Sequence, residues 1–164
     1  MPNNFERMLV LVGEVFDVKN DPDQIDVDDS VMAKLRTIHR DTMSEFSNQD
    51  GPVAWILLIP TTVETMNSFV AGSITERQLL AQTEPGMKFE ALYLCSATVL
   101  PEFRHKGIAR QLTLKAITAM RLDFPISALY FWKFSDDGAR LSAALATSLG
   151  LPLFERIEPH RLEQ

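Results

Sequence analysis

With 164 residues, 46% of them apolar and 23% charged, the chain has the size and composition of one globular domain that can bury a core without disulfides or metal, which excludes a disordered or fibrous class. The formal charge of −6 argues against general nucleic-acid binding through a basic surface, and the single cysteine, Cys95, excludes an intramolecular disulfide and any CxxC metal or redox pair. Residues 1–15 carry Glu6, Arg7 and Glu14 and read as an amphipathic helix, not a signal peptide; the longest strongly apolar run, Val53 to Ile59, is too short to span a bilayer, so a cytoplasmic location is the default expectation.

Asn3 and Glu6 have the spacing of a capping box, and Phe5, Leu9, Val12 and Phe16 follow at helical intervals, predicting a first helix that ends near Asp17. The run Asn20-Asp-Pro-Asp-Gln-Ile-Asp reads as a loop, after which Asp26 or Asp28 caps a second helix with Val31, Leu35 and Ile38 as its buried stripe. Ser47-Asn-Gln-Asp-Gly-Pro is predicted to be a plain turn, and Val53-Ala-Trp-Ile-Leu-Leu-Ile a strand covered on both faces. Residues 61–84 favour two short helices, with Thr75 and Gln78 as a second capping box before Leu79 and Leu80; a short strand over Phe69-Val-Ala-Gly-Ser-Ile is the competing reading.

Phe89 to Val99 reads as a strand that Pro101 ends, because proline cannot donate to a ladder. From Gly107 to about Leu122 the repeat of Ile108, Leu112, Ala116 and Ala119 predicts a helix that stops before Pro125. Ile126 to Phe134 is a second strand. Ser135-Asp-Asp-Gly starts a helix with Leu141, Leu145 and Leu149 on its buried face; Gly150 is a left-handed terminator, Pro152 prevents a restart, and Leu153-Phe-Glu-Arg-Ile supplies a last strand. No repeat, low-complexity stretch or dividing linker is visible, so residues 1–164 are expected to form one α/β domain. Strand, helix and strand from 89 to 134 make a βαβ unit, whose strands are parallel with a right-handed crossover. A ligand would sit at the carboxyl end of the first strand, beside the helix N-terminus.

The chemistry-bearing residues lie at that junction. Between Glu102 and Arg121 stand Arg104, Lys106, Arg110, Lys115 and Arg121 against one acid, Glu102, which suggests a local anionic ligand; a solvated helix face is the competing reading. A diphosphate needs several converging donors that no carboxylate neutralises, and a helix N-terminus offers unpaired N–H groups and partial positive charge. In Arg104-x-x-Gly107-x-Ala109 small residues stand where the turn enters the helix. Gly107 lacks a Cβ that would keep a phosphate oxygen away, while Arg104, Lys106 and Arg110 add charge. Neither a Gly-Lys-Ser/Thr nucleotide loop nor Gly-x-Gly-x-x-Gly is present.

The run Val99-Leu-Pro-Glu-Phe-Arg-His-Lys-Gly-Ile-Ala resembles the Arg/Gln-x-x-Gly-x-Gly/Ala signature of the Gcn5-related N-acetyltransferases, with its preceding strand and Pro-Glu-Tyr/Phe-Arg lead-in. The resemblance extends over about residues 89–155. It implies a mixed, mainly antiparallel central sheet flanked by helices and splayed between two parallel strands, with the pantetheine arm of acetyl-CoA pairing with the first of them like an added strand. It assigns that pairing to Ala97, Thr98 and Val99, and the pyrophosphate contacts to Arg104, His105, Lys106, Gly107, Ile108, Ala109 and Arg110. The implied reaction is direct transfer of an acetyl group to an amine of a small molecule or peptide. The alternative is a non-catalytic acyl-CoA-binding module. The expected partners are acetyl-CoA and an amine acceptor, without metal, nucleic acid or membrane, and a homodimer is allowed.

Transfer to an amine needs a neutral nucleophile, a stabilised oxyanion and a proton for the departing thiolate. In the family a tyrosine four residues before the glycine that ends the post-strand helix often supplies that proton; counting back from Gly150 reaches Ala146. Tyr130, Ser142 or water are the candidates left for the acid, and nothing in the sequence selects among them. Glu90, at the start of the binding strand, is the candidate base, with a solvated strand-end glutamate as the alternative. Cys95 reads as a small buried residue, and His39, His105 and His160 lack metal spacing. The aspartates at 21, 23, 26, 28 and 29 read as turn formers and helix-start charges before they read as an attractor for a cationic acceptor.

Overall fold

The computed structural model describes residues 3–16 and 24–157. The first helix, α1 (Asn4–Phe16), begins with the expected capping box: Glu6 N–H donates to Asn3 Oδ1 at 2.8 Å and Asn3 N–H to Glu6 Oε2 at 3.3 Å. Its predicted end at Asp17 and the following loop from Asn20 to Asp23 lie outside the described residues. In α2 (Asp29–Ile38) the cap is Asp28, whose carboxylate accepts from Val31 N–H at 2.9 Å.

The chain then forms a strand over residues the sequence left unassigned, and it runs into the segment expected to be a turn. β1 (Met43–Asn48) pairs antiparallel with β2 (Gly51–Thr61), so Ser47 and Asn48 belong to one strand, Gly51 and Pro52 open the next, and the turn is Gln49-Asp50. β1 is a sheet edge whose residues from Glu45 to Asn48 are all exposed, so it carries no apolar alternation to betray it. β2 is buried at every position except the half-buried Gly51 and Trp55, as its apolar run requires.

Residues 61–84 form the two short helices, α3 (Val63–Val70) and α4 (Glu76–Gln82), and Phe69 lies in α3 rather than in a strand. The capping box opening α4 is complete: Gln78 N–H donates to Thr75 Oγ1 at 3.1 Å and Thr75 N–H to Gln78 Oε1 at 2.8 Å. Replacing Thr75 by alanine removes one side of that exchange and is expected to lower stability by about 1 kcal/mol, measured by urea unfolding.

β3 (Ala91–Val99) starts two residues later than expected, and a 3₁₀ turn at Pro101–Phe103 ends it. Next come α5 (Ile108–Asp123), β4 (Ala128–Phe131), α6 (Asp136–Leu149) and β5 (Leu153–Glu155). Ser135 caps α6 by accepting from Gly138 N–H, and Gly150 ends it at φ 66°. β4 is much shorter than the predicted Ile126–Phe134 run, and β5 stops before Arg156 and Ile157.

The five strands lie in the order β1-β2-β3-β4-β5. Antiparallel pairing joins the long strands β1, β2 and β3, whereas β3–β4 and β4–β5 are parallel ladders of three residue pairs each. This is the expected mixed α/β sheet flanked by helices. One face packs Leu57, Ile59, Tyr93 and Tyr130 under Met66 and Phe69 of α3 and Leu79 and Leu80 of α4. The other packs Ile56, Leu58, Leu92 and Leu129 under Ala116, Ile117 and Met120 of α5 and Leu145 and Ala146 of α6. Among the described residues no helix is long and apolar enough to cross a membrane.

Candidate functional site

The site begins with a mismatch in strand register. Along β2 and β3, Leu57 pairs with Ser96 but the next residue, Leu58, pairs with Leu94, so Cys95 is an extra residue bulged out of β3. A bulge bends its strand and sharpens the local twist. The β3–β4 ladder stops just before it, at Tyr93–Tyr130, and β4 itself ends at Phe131. From Leu94 to Val99 no strand lies on the β4 side of β3. The two strands part as a V, and a cleft of about 460 Å³ fills the gap. β3 residues 94–99, the turn residues 103–105, residues 107–110 at the start of α5, and the opening turns of α6 line it.

At the mouth of the V stands the N-terminus of α5. Gly107 is its N-cap in the left-handed conformation, φ 79°, and no side chain caps the helix. An added Cβ would meet only Gln111 Nε2 at 3.9 Å, so the backbone angle and not lack of room calls for glycine. His105 is also left-handed, φ 63°, a strained conformation for a residue with a Cβ that costs roughly 1–2 kcal/mol. The first turn of α5 contains no acid. Its first N–H groups and the positive end of its dipole are therefore available to an anion. The N-terminus of α6 differs: the Ser135 hydroxyl caps it, and Asp136 and Asp137 stand in its first turn. Of the two helix starts on the cleft, only that of α5 suits a phosphate.

Nine of the ten residues expected to hold the coenzyme line this cleft: Ala97, Thr98, Val99, Arg104, His105, Gly107, Ile108, Ala109 and Arg110. Lys106 does not; its ammonium lies 5.7 Å from the centre of the Phe103 ring. Arg104 Nε donates to Val99 O at 3.0 Å, which ties the turn to the end of β3, and Arg110 Nη2 donates to Ser148 Oγ at 2.6 Å, which ties α5 to α6.

The one acid of the turn is neutralised. Arg7 of α1 donates from both terminal nitrogens to the two oxygens of Glu102 at 2.7 Å each, and this hydrogen-bonded pairing lowers the Glu102 pKa from 4.5 to about 2. A carboxyl whose pKa falls on folding stabilises the fold above its unfolded pKa and loses that contribution as pH falls towards the folded value. The Arg7–Glu102 contribution should thus be whole above about pH 4.5 and fade towards about pH 2. Glu102→Gln is expected to flatten this part of the melting-temperature profile, by a small amount because the pair is exposed to solvent.

The catalytic candidates are scattered. Ser142 lines the cleft, but its hydroxyl donates to Gly138 O at 2.9 Å. Tyr130 is fully buried on the α3/α4 side of the sheet with its hydroxyl 2.7 Å from Thr61 Oγ1, and burial pushes its pKa well up. Glu90 precedes β3, its N–H donating to Thr61 O at 3.2 Å and its carboxylate 3.9 Å from Lys88 Nζ, and it is absent from the cleft lining. Ala146 lies on the buried face of α6, packed in the core. Cys95 is buried on the cleft wall, and its thiol donates to Glu76 Oε2 at 3.6 Å; burial, followed by the Glu76 charge, holds its pKa well above the usual thiol value. This makes Cys95 a poor nucleophile.

His39 and Asp28 have structural partners. His39 Nε2 lies 2.7 Å from Asp123 Oδ2, and Nδ1 accepts from Asp41 N–H at 3.0 Å. Asp28 and Asp29 serve the start of α2, whereas Asp21, Asp23 and His160 lie outside the described residues. No group of three or more His, Cys, Asp or Glu residues that could hold a metal occurs among the described residues.

Sequence reasoning did not assign Phe131, Trp132, Phe134 and the α6 residues Asp137, Gly138, Arg140 and Leu141 to the site, yet they make the far wall of the cleft. The usable signal was the βαβ rule itself, which puts the end of the second strand beside the end of the first.

No family model matches the chain, and no curated protein does. Among solved structures, a tetramutant of the BH1408 protein from Bacillus halodurans superposes with a TM-score of 0.44 at 17% identity, over 88% of this chain and 83% of that one. A histone acetyltransferase HPA2 and related acetyltransferase from Corynebacterium glutamicum superposes with a TM-score of 0.41 at 21% identity, over 87% of this chain and 78% of that one. Likenesses this distant do not bear on what this chain binds or transforms.

Proposed function

We propose that the chain binds acyl-coenzyme A in the V between β3 and β4 and transfers its acetyl group, by direct attack, to an amine of a small molecule or peptide. One observation carries this reading: a single cleft joins a stretch of β3 with no strand beside it to the uncapped, acid-free N-terminus of α5. The first is the partner that an extended amide-bearing chain needs, and the second is the partner that a diphosphate needs. In this reading Ala97, Thr98 and Val99 pair with the pantetheine arm. The backbone from His105 to Arg110 receives the pyrophosphate, and Arg104 and Arg110 add charge. The thiol of coenzyme A, with a pKa of about 8.5, leaves without strong acid assistance, so the alanine at 146 does not forbid turnover. Ser142 is the one candidate acid on the cleft, and to act it must give up its bond to Gly138 O.

The test is incubation with acetyl-CoA and a panel of amines while free thiol is followed. Amine-dependent thiol release is expected. Binding of coenzyme A without release would favour the second reading, a non-catalytic acyl-CoA module. The buried, hydrogen-bonded state of Tyr130 and the absence of a tyrosine at 146 speak for that second reading.

Binding can be tested apart from turnover. By calorimetry, coenzyme A is expected to bind at least about tenfold more tightly than pantetheine, which lacks the phosphates. That advantage should shrink as salt is raised, because exposed charges are screened within about 10 Å at 0.1 M ionic strength. Equal affinities at low salt would remove the pyrophosphate from α5.

A further inference from the structure

Two residues that line the cleft on the α5/α6 side of the sheet belong to the aromatic core on the other side, Cys95 and Trp132. They reach through because β3 and β4 part immediately above the Tyr93–Tyr130 pair. Below them the V is shut. Tyr93 and Tyr130 are fully buried and stacked with centroids 5.2 Å apart; the Tyr93 hydroxyl donates to Glu76 Oε2 at 2.5 Å, and the Tyr130 hydroxyl is shared with Thr61. Trp132 is not a loose flap. Its ring lies 4.8 Å from that of Phe134 and 6.2 Å from that of Phe69, and the Arg156 guanidinium carbon stands 5.0 Å from its centroid. That guanidinium is anchored in turn, its Nη1 donating to Phe69 O at 2.9 Å and to Ile74 O at 2.5 Å. The narrow end of the cleft is therefore a fixed, mainly apolar wall.

We infer that Trp132, with Cys95 beside it, is a stop that limits the acyl chain this cleft accepts to acetyl or propionyl size, Trp132 setting the limit. The inference rests on the coenzyme reading of the cleft. A thioester whose coenzyme arm lies along β3 presents its acyl group to the closing end of the V. There a longer chain meets an indole that packing on Phe69, Phe134 and Arg156 keeps from swinging aside. The sign of the effect separates a stop from an open channel. In an open apolar channel each further buried methylene tightens binding about fourfold; against a stop each one beyond propionyl weakens it.

The experiment is calorimetric titration of coenzyme A and of acetyl-, propionyl- and octanoyl-CoA, and needs no acceptor. Acetyl- and propionyl-CoA are expected to bind alike and octanoyl-CoA at least about tenfold more weakly. Trp132→Leu, which shortens the wall while keeping it apolar, should raise the affinity for octanoyl-CoA relative to that for acetyl-CoA at least about tenfold. Octanoyl-CoA binding the wild-type protein as tightly as acetyl-CoA would overturn the inference, and so would a folded Trp132→Leu protein with an unchanged preference. Should that variant fail to fold, the wild-type series decides alone. If neither coenzyme A nor any thioester binds, the coenzyme reading fails and the stop with it; if they bind without regard to chain length, the stop alone fails.

Discussion

Ala109→Glu is expected to weaken coenzyme A binding at least about a hundredfold, or about 2.7 kcal/mol, while leaving the melting temperature of the ligand-free protein nearly unchanged. Ala109 is the second residue of α5 and lines the cleft at the N-terminus proposed to hold the pyrophosphate. A glutamate in a first helical turn complements the dipole, so the helix should tolerate it. In the cleft it would set a carboxylate against the phosphates and take up the space of one of them. Ala109→Gln adds nearly the same bulk without charge, and the difference between the two variants reports the electrostatic part. Gly107 is the less useful position, although the motif points to it first. Its left-handed φ makes any side chain there strained, so stability and binding would fall together. If Ala109→Glu folds normally and binds coenzyme A with native affinity, the start of α5 is only a helix start and the acetyltransferase reading loses its main support.

The second large effect is on stability. Phe69→Ala should cost about 3–5 kcal/mol by urea unfolding, a large share of the roughly 5–15 kcal/mol a domain of this size has in total. The Phe69 ring is fully buried at the hub of the aromatic core, with ring centroids of Tyr93 at 4.8 Å, Tyr130 at 5.9 Å and Trp132 at 6.2 Å. The Arg156 guanidinium carbon lies 4.3 Å from its centroid, so alanine would also strip a buried cation of one of its two aromatic faces, leaving Trp132. Rigid neighbours collapse poorly into the space left, which places this site at the costly end of such substitutions. Phe69→Leu fills most of the volume and should recover more than half of the loss. A loss below about 1 kcal/mol in Phe69→Ala would mean that the core around Trp132 is not close-packed, and the rigid wall inferred for the cleft would fall with it.

What could be read from the sequence was mostly what short-range chemistry controls. Both capping boxes, the helix start at Ser135 and the left-handed stop at Gly150 join groups a few residues apart, as does the cap of α2, which the sequence left between Asp26 and Asp28. β2 and the first residues of β3, Ala91 to Tyr93, were legible as an apolar run because both faces are covered there. The motif at Arg104-x-x-Gly107-x-Ala109 was legible for the same reason: the turn, the glycine with φ 79° and the helix start form one continuous segment.

The tertiary structure decided the rest. β1 is an edge strand with an exposed face, held by ladder bonds to β2 that leave no imprint on its composition. The bulge at Cys95 and the early end of β4 depend on register between strands about 35 residues apart in the chain. Lys106 left the cleft for the Phe103 ring, while Trp132, which reads as one more residue of an apolar strand, became the wall between two layers. Local pattern reports how much of a segment is covered. It does not report which distant residue does the covering, because packing and strand register are settled by the whole chain at once.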